Sequence, residues 1–225
     1  MAKQWKIAID GPASSGKSTI ARELSDRLKI TYLDTGAMYR AVTWQLLAEG
    51  VPLTSTPVLK QALENLSLTL ESTAKGQRIA VNGLDVTDKI RQQAVTEKVS
   101  QVASLKEVRT YLVHLQQAFA RKDQGIVMDG RDIGTVVMPH ADLKIYLSAS
   151  AKERARRRYE EDLEKGRQPS SYEEVLAALK ARDHFDQTRK ESPLKQAEDA
   201  FLIDSTGLTI PEVVQDIIDL LPKEK

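Results

Sequence analysis

Cysteine is absent from all 225 residues of the chain. Without thiols the protein forms no disulfide, binds no zinc through cysteine and uses no thiolate nucleophile, and this composition suits a reducing compartment. Long apolar runs are also missing, and charged residues interrupt the first ten positions. We therefore expect a cytoplasmic protein that has neither a secretory leader nor a membrane span.

An excess of charge of one sign is missing too. Lys and Arg number 33 while Asp and Glu number 32, which gives a formal net charge of +1. This balance provides no overall attraction to nucleic acid or to an anionic membrane, so any anion site must be local. The chain also lacks the N-K-x-D sequence that reads the base in GTPases and the H-R-D catalytic loop of protein kinases.

Short apolar segments alternate with helical patterns, which predicts a parallel sheet covered by helices on both faces. The five predicted strands are residues 5–10, 30–34, 125–129, 143–148 and 200–206. A helix over residues 35–50 is predicted to end at Gly50, and the last helix is predicted over about 211–221.

Residues 66–91 depart from this alternation of strands and helices. The segments LSLTL and RIAV alternate with period two, and turn residues stand at Lys75-Gly76 and Asn82-Gly83, which predicts antiparallel hairpins. We expect a small inserted subdomain here. The predicted units are a core domain of residues 1–61 and 92–225, which includes a lid at about 152–171, and an insert of residues 62–91.

A long helical segment follows the insert over residues 92–121. Ser104 and Glu107 have the S-x-x-E spacing of a capping box, so we predict two helices with a break at Ser104. In one straight helix Ser100 and Arg109 would face opposite ways, since nine residues turn a helix by about 900°. The break lets both side chains converge on one cleft.

The segment GPASSGKST matches the pattern G-x-x-x-x-G-K-[S/T] of a phosphate-binding loop. It lies between a predicted strand and a predicted helix, as that loop requires. Backbone N–H groups and the helix N-terminus would surround the phosphates, Lys17 would reach the β- and γ-phosphates, and the Ser18 hydroxyl would bind Mg²⁺. The predicted ATP-binding residues are Gly11, Pro12, Ala13, Ser14, Ser15, Gly16, Lys17, Ser18 and Thr19.

Arginines recur where the rest of the site should lie. Arg40 and Arg131 follow the second and third predicted strands, and ligands of open parallel sheets bind outside the carboxyl ends of the strands. A predicted helix over residues 172–192 carries one stripe that begins apolar and turns charged. The stripe consists of Val175, Leu179, Arg182, Asp186 and Arg189. We favour a stripe that faces a ligand over a ladder of surface ion pairs.

The arginine-rich pattern of residues 150–171 predicts a basic lid beside the phosphate loop. An S-x-x-E capping box at Ser150 and Glu153 opens a helix, and a Gly/Pro/Ser loop follows it. The arginines of this segment are Arg154, Arg156, Arg157, Arg158 and Arg167. Such a helix can close over a transferring phosphoryl group. The alternative is a solvated helix, and it applies to Arg156 more than to Arg157 and Arg158.

A general base is not evident, and this favours one class of acceptor. A nucleoside monophosphate brings a phosphate oxygen that is already ionised near pH 7, since its second pKa is ~6. Transfer to it requires cations and alignment rather than deprotonation. The three histidines, His114, His140 and His184, have no convincing catalytic partners in the sequence.

Four segments together resemble the bacterial cytidylate (CMP) kinase family. They are IAIDGPASSGKST, YLDTGAMYRA, DGRDIGTVV and RDHFDQTRKESPL, and the resemblance covers nearly the whole chain. It implies a P-loop NTPase-type α/β fold, with a parallel five-stranded sheet covered by helices on both faces, a small inserted antiparallel β subdomain and a helical lid. It also implies transfer of the γ-phosphoryl group of ATP to CMP or dCMP with Mg²⁺, by a monomer.

The same resemblance implies roles for individual residues. The expected base contacts are Ser100, Arg109 and Asp132. The expected contacts to the sugar region are Thr35, Arg182 and Asp186, and the expected phosphate contacts are Arg40, Arg131 and Arg189. The expected catalytic residues are Lys17, Arg131, Arg157, Arg158 and Arg189. Asp129 would act on Mg²⁺ through water.

Two other functions stay open on the residues alone. A kinase for another nucleoside monophosphate, or for a small alcohol such as shikimate, would share the phosphate loop. An alcohol kinase would need a carboxylate beside the hydroxyl group, and Asp34 is available for that role. A non-catalytic ATP-binding module would hydrolyse ATP slowly, and no monophosphate would stimulate it.

Overall fold

A computed structural model describes residues 4–73, 76–122, 125–164, 166 and 171–222. Its strands are β1 Lys6–Asp10, β2 Thr31–Asp34, β3 Leu68–Thr73, β4 Gly76–Val81, β5 Leu84–Asp85, β6 Ile126–Gly130, β7 Leu143–Ser148 and β8 Phe201–Asp204. Its α-helices are α1 Lys17–Leu28, α2 Thr35–Ala48, α3 Pro57–Glu64, α4 Gln93–Ala103, α5 Lys106–Lys122, α6 Ala151–Glu164, α7 Tyr172–Thr188 and α8 Ile210–Asp219. A 3₁₀ turn spans Lys89–Arg91 and a π-helical turn spans Ile133–Val137.

The main sheet has five parallel strands in the order β2-β6-β1-β7-β8. All five strands predicted from the sequence are present, so the predicted fold class is confirmed. Because the strands are parallel, the carboxyl ends of β1, β2 and β6 lie at one edge of the sheet. The loops that follow these three strands therefore share one side of the molecule.

Helices cover both faces of this sheet. Ala8 of β1 packs into a core that α2 and α5 contribute to, whereas Ile7 and Ile9 face the opposite core with α1 and α8. Alternate residues of a strand point to opposite faces, so one apolar run fills both cores. In the described part of the chain, no helix has the length and apolar character needed to cross a membrane.

The predicted antiparallel element is a three-stranded sheet in the order β3-β4-β5. Asn82 and Gly83 have φ values of 49° and 78°, as a tight hairpin turn requires at both central residues. Lys75, placed in the other predicted turn, lies outside the described residues. Ile79 and Val81 of β4 join the same core as α2. The two-residue strand β5 is an addition to the prediction.

The predicted helix break at Ser104 is confirmed, because α4 ends at Ala103 and α5 begins at Lys106. The capping box that suggested it is wrong. The Ser104 hydroxyl donates to the Gln101 carbonyl at 2.7 Å, and the Glu107 carboxylate accepts from the Ser55 hydroxyl. Ser104 thus ends one helix instead of capping the next.

Of two predicted helix ends, one is confirmed and the other is wrong. Gly50 follows the end of α2 with φ 64°, as predicted. Helix α7 ends at Thr188, so its predicted extension to residue 192 is wrong. Ser192 has φ 45° and precedes a proline, and the chain turns back so that the Leu194 N–H donates to the Asp186 carbonyl at 2.7 Å.

Candidate active site

The phosphate-binding loop joins β1 to α1, as the sequence predicted. Gly11 has φ 150°, and a Cβ atom added there would lie 2.0 Å from the Leu147 carbonyl oxygen. Gly16, the residue before α1, has φ 93°. Both positions therefore require glycine. The first turn of α1 lines the cleft, and the N–H groups at a helix N-terminus suit an anion.

Lys17 is enclosed by this loop. Its Nζ atom donates to the Pro12 carbonyl at 2.6 Å and lies 3.4 Å from the Ser15 hydroxyl. Burial and, after it, the positive charge of Arg131 lower the pKa of Lys17 to about 7. A bound polyphosphate would supply the negative charge that stabilises the protonated amine. Lys17 thus lies within the predicted phosphate loop, and its contact to phosphate stays a prediction.

An oxygen-rich group lies beside Lys17. The hydroxyls of Ser18 and Tyr32 donate to the two oxygens of the Asp129 carboxylate, at 2.9 and 2.8 Å. Burial raises the pKa of Asp129 to about 6. A hydroxyl and a carboxylate side by side are the hard oxygen ligands that Mg²⁺ prefers, so the donor set fits this ion.

A cleft of about 1080 Å³ opens beside the phosphate loop. Arg40, Arg131, Arg158 and Arg182 line it together with residues of the loop. Burial and, after it, the positive charges of neighbouring arginines lower the pKa of Arg40 and of Arg182 to about 10. Guanidinium groups that repel one another while keeping their charge at neutral pH form a site for an anionic ligand.

A side pocket of about 80 Å³ adjoins this cleft. Ser100 and Arg109 both line it, so the helix break brings them to one place, as predicted. Arg109 and Asp132 are each 4% exposed and form an ion pair. The Arg109 guanidinium also stacks over the ring of Tyr39, with its Cζ atom 5.5 Å from the ring centroid. The pocket thus presents a donor and an acceptor side by side.

Tyr39 is a pocket residue that sequence reasoning missed. It is largely buried, and its hydroxyl has no hydrogen-bond partner within the part of the chain that the structure describes. Its position one helical turn after Thr35 was the only available signal, because that spacing places both side chains on one face of α2.

The remaining predicted residues surround the junction of cleft and pocket. Arg131 donates from Nε to Asp186 at 2.9 Å. The cleft and the side pocket are both lined by Arg40, Arg131 and Arg182. Thr35 donates its hydroxyl to the Asp129 carbonyl at 2.7 Å. Arg189 donates to the Ser192 carbonyl at 3.0 and 2.8 Å. The structure brings all of these predicted substrate residues together.

The lid arginines separate into different environments. Arg158 lines the cleft, with its Nε atom 2.9 Å from Asp162. Arg157 instead donates to the carbonyl of Ser205 at 2.7 Å and to that of Ser15, in the phosphate loop, at 3.5 Å, and it pairs with Glu153. Arg154 is buried and donates to the carbonyl of Ala13 at 3.0 Å, whereas Arg156 is exposed and pairs with acids of its own helix. Arg167 lies outside the described residues.

Comparison with known proteins supports one family. The family model for cytidylate kinase matches residues 7–223. The chain is 50% identical to a cytidylate kinase of Exiguobacterium sp. over 225 residues, which cover 100% of both chains. It is 50% identical to a cytidylate kinase of Carboxydothermus hydrogenoformans over 97% of this chain and 98% of the relative. For a Bacillus subtilis cytidylate kinase the identity is 45%, over 100% and 99%.

Solved structures show the same fold at low identity. A gluconokinase from Sinorhizobium meliloti 1021 aligns with a TM-score of 0.51 and 12% identity, over 97% of this chain and 92% of that chain. An uncharacterised protein from Eubacterium ventriosum aligns with a TM-score of 0.52 and 12% identity, over 98% and 100%. At this identity the likeness concerns the fold alone.

Proposed function

The chain belongs to the cytidylate kinase family, and we propose that it transfers the γ-phosphoryl group of ATP to CMP or dCMP, giving ADP and CDP or dCDP. One structural observation supports this function independently of the family membership. An arginine-lined cleft connects the phosphate loop to a side pocket that holds a buried Arg109–Asp132 pair. Donor, acceptor phosphate and acceptor base each have a matching place in that arrangement.

ATP occupies the phosphate loop. The N–H groups at the start of α1 bind the phosphates, and Lys17 moves from the Pro12 carbonyl to the γ-phosphoryl group. Ser18 and Asp129 would hold Mg²⁺, Asp129 through water, and the ion would neutralise charge on the donor phosphates when bound.

The arginines of the cleft stabilise the transferring group. The phosphate of the acceptor is bound by Arg40, Arg131 and Arg189. Arg131 also contacts the phosphoryl group during its transfer. The acceptor oxygen is already ionised near pH 7, so the enzyme needs no general base. Alignment of the two phosphates and charge neutralisation by the cleft arginines account for the acceleration.

The base lies in the side pocket. Asp132 accepts from the N4 amino group of cytosine, Arg109 donates toward O2 and N3, and Ser100 adapts because a hydroxyl both donates and accepts. The Nε atom of Arg109 is buried without a hydrogen-bond partner among the described residues, so a donor is available to a ligand. Thr35, Arg182 and Asp186 contact the sugar region.

Competing functions differ in the acceptor that they use. The alcohol-kinase alternative needs the Asp34 carboxylate as a base, but one of its oxygens accepts from the Ala37 N–H at 2.8 Å and caps α2. ADP release, coupled to a standard indicator reaction, is measured with CMP, dCMP, UMP, AMP, dTMP and shikimate. We expect CMP and dCMP to give the highest kcat/KM. Equal rates without any acceptor would indicate an ATP-binding module.

The different environments of Arg157 and Arg158 predict different kinetic effects. Arg158→Ala removes a charge that lines the cleft, so kcat should fall by about 10²-fold while ATP binding without acceptor changes little. Arg157→Ala breaks the contact to Ser205 and should mainly lower thermal stability. Steady-state kinetics and thermal unfolding of both variants separate these effects. A larger loss of kcat in Arg157→Ala would contradict the assignment.

We also place the reaction in the cytoplasm, within pyrimidine nucleotide metabolism, and propose that a monomer carries it out without nucleic acid or membrane partners. The cysteine-free sequence supports the cytoplasmic location, and the near-zero net charge supports the absence of nucleic acid and membrane partners.

A further inference from the structure

Asp10 is a buried carboxylate to which neither the motif nor the proposed chemistry gives a role. It ends β1 at the centre of the sheet and is 5% exposed. Its Oδ1 atom accepts from the Ile133 N–H at 2.8 Å, and its Oδ2 atom accepts from the Gly134 N–H at 2.7 Å. These amides are the first two of the turn that follows Asp132, so one side chain holds the start of that turn.

The position of Asp10 links two loops with different tasks. The next residue is Gly11, the first of the phosphate loop, and it packs so closely on β7 that an added Cβ would lie 2.0 Å from the Leu147 carbonyl oxygen. The loop held by the carboxylate carries Arg131 and Asp132, which line the acceptor side of the site. Asp10 therefore spans from the donor loop to the acceptor loop.

This link has little freedom to move. A Cβ atom added to Gly134 would lie 3.4 Å from Asp10 Oδ2 and 3.1 Å from Lys144 Cδ, so the turn rests directly on the carboxylate. Burial raises the pKa of Asp10 to about 7, and the two backbone N–H groups oppose this rise because they stabilise the ionised form. An amide in place of the carboxylate would keep one acceptor and turn an NH₂ group toward the second backbone N–H.

We infer that Asp10 is a positioning residue, which sets the acceptor loop and its Arg131 and Asp132 side chains at a fixed distance from the phosphate loop. The inference rests on the proposed function. A displacement of about 1 Å between reacting groups lowers turnover by ~10²-fold even when every catalytic group is present. Loss of this link should thus harm the acceptor side more than ATP binding.

The test compares Asp10→Asn with Asp142→Asn. Asp142 makes the same kind of bond at the other end of β1, where its carboxylate accepts from the Lys6 N–H at 2.8 Å, and it does not line the cleft. For Asp10→Asn we expect kcat/KM for CMP to fall about 10- to 100-fold. The preference for CMP over UMP should decrease as well. The Kd for ATP, measured without acceptor, should stay within about twofold of the unsubstituted value. Asp142→Asn should leave these kinetic quantities unchanged.

Gly134→Ala perturbs the same turn and keeps the carboxylate, because the added Cβ would lie 3.1 Å from Lys144 Cδ and 3.4 Å from Asp10 Oδ2. It should shift the same quantities in the same direction by a smaller factor. An unchanged CMP preference in both variants, an equal loss of ATP affinity, or failure of both variants to fold would overturn the inference and make Asp10 part of the fold alone. Absence of CMP activity in the unsubstituted enzyme would instead refute the proposed function.

Discussion

Replacement of Lys17 by Ala is expected to lower kcat for CMP phosphorylation by about 10³-fold or more. The amine is the one lysine that the phosphate loop encloses within the described residues, and phosphoryl transfer builds charge where it would bind. No other side chain of the loop carries a positive charge to replace it.

The fold should survive this substitution. Burial lowers the pKa of Lys17 to about 7, which means that the folded protein disfavours the charged amine, and an alanine removes that unfavourable burial. Thermal unfolding of Lys17→Ala should therefore occur at the same temperature or higher. Lys60→Ala, at an exposed position of α3, is the matched control and should keep full activity. Near-normal turnover in Lys17→Ala would remove the phosphate loop from the mechanism.

The second large effect concerns recognition of the base. Cytosine presents a donor at N4, whereas uracil presents an acceptor at O4. Asp132 accepts from the first and repels the second, so we expect a large preference for CMP over UMP. A site built to form hydrogen bonds rejects the wrong pattern by ~10⁴-fold or more, because its own buried groups then lose their partners.

Asp132→Asn is the sharpest variant for this test. Asp132→Ala would leave the buried Arg109 without its partner, and an unpaired buried charge destabilises a protein strongly. Asparagine keeps the shape and offers both a donor and an acceptor. The CMP-to-UMP ratio of kcat/KM should fall by about 100-fold or more, chiefly through a loss for CMP.

An equal loss for both nucleotides would show that Asp132 supports the loop and does not read the base. The ion pair with Arg109 makes this a real alternative, since the Arg109 guanidinium already donates to the Asp132 carboxylate. A melting temperature measured for the variant separates unfolding from altered recognition.

The phosphate loop was predictable because all of its determinants lie in nine consecutive residues. The convergence of Ser100 and Arg109 was predictable from a break in helical pattern at Ser104, although the capping box behind that prediction does not form. The five strands were predictable because each is a short apolar run, and such a run indicates a buried strand without knowledge of distant contacts.

Other features depend on contacts between distant parts of the chain. Helix α7 ends where Arg189 adopts an extended backbone with φ −60° and ψ 145°, and the guanidinium of Arg189 donates to the Ser192 carbonyl as the chain turns back toward Asp186. Arg157 and Arg158 are adjacent in sequence, but contacts to Glu153 and to the carbonyls of Ser15 and Ser205 hold Arg157, whereas Arg158 lines the cleft. Asp10 reads in the sequence as a charged residue at the end of a strand, because its two partners lie more than 120 residues away.

The most direct test of the central claim follows the phosphoryl group itself. The enzyme is incubated with ATP labelled at the γ-phosphate and with CMP, and the products are separated by chromatography. We predict that the label appears in the β-phosphate of CDP, at a rate that matches ADP release. Label found only in inorganic phosphate, or ADP release that is the same with and without CMP, would contradict the assignment of a CMP kinase.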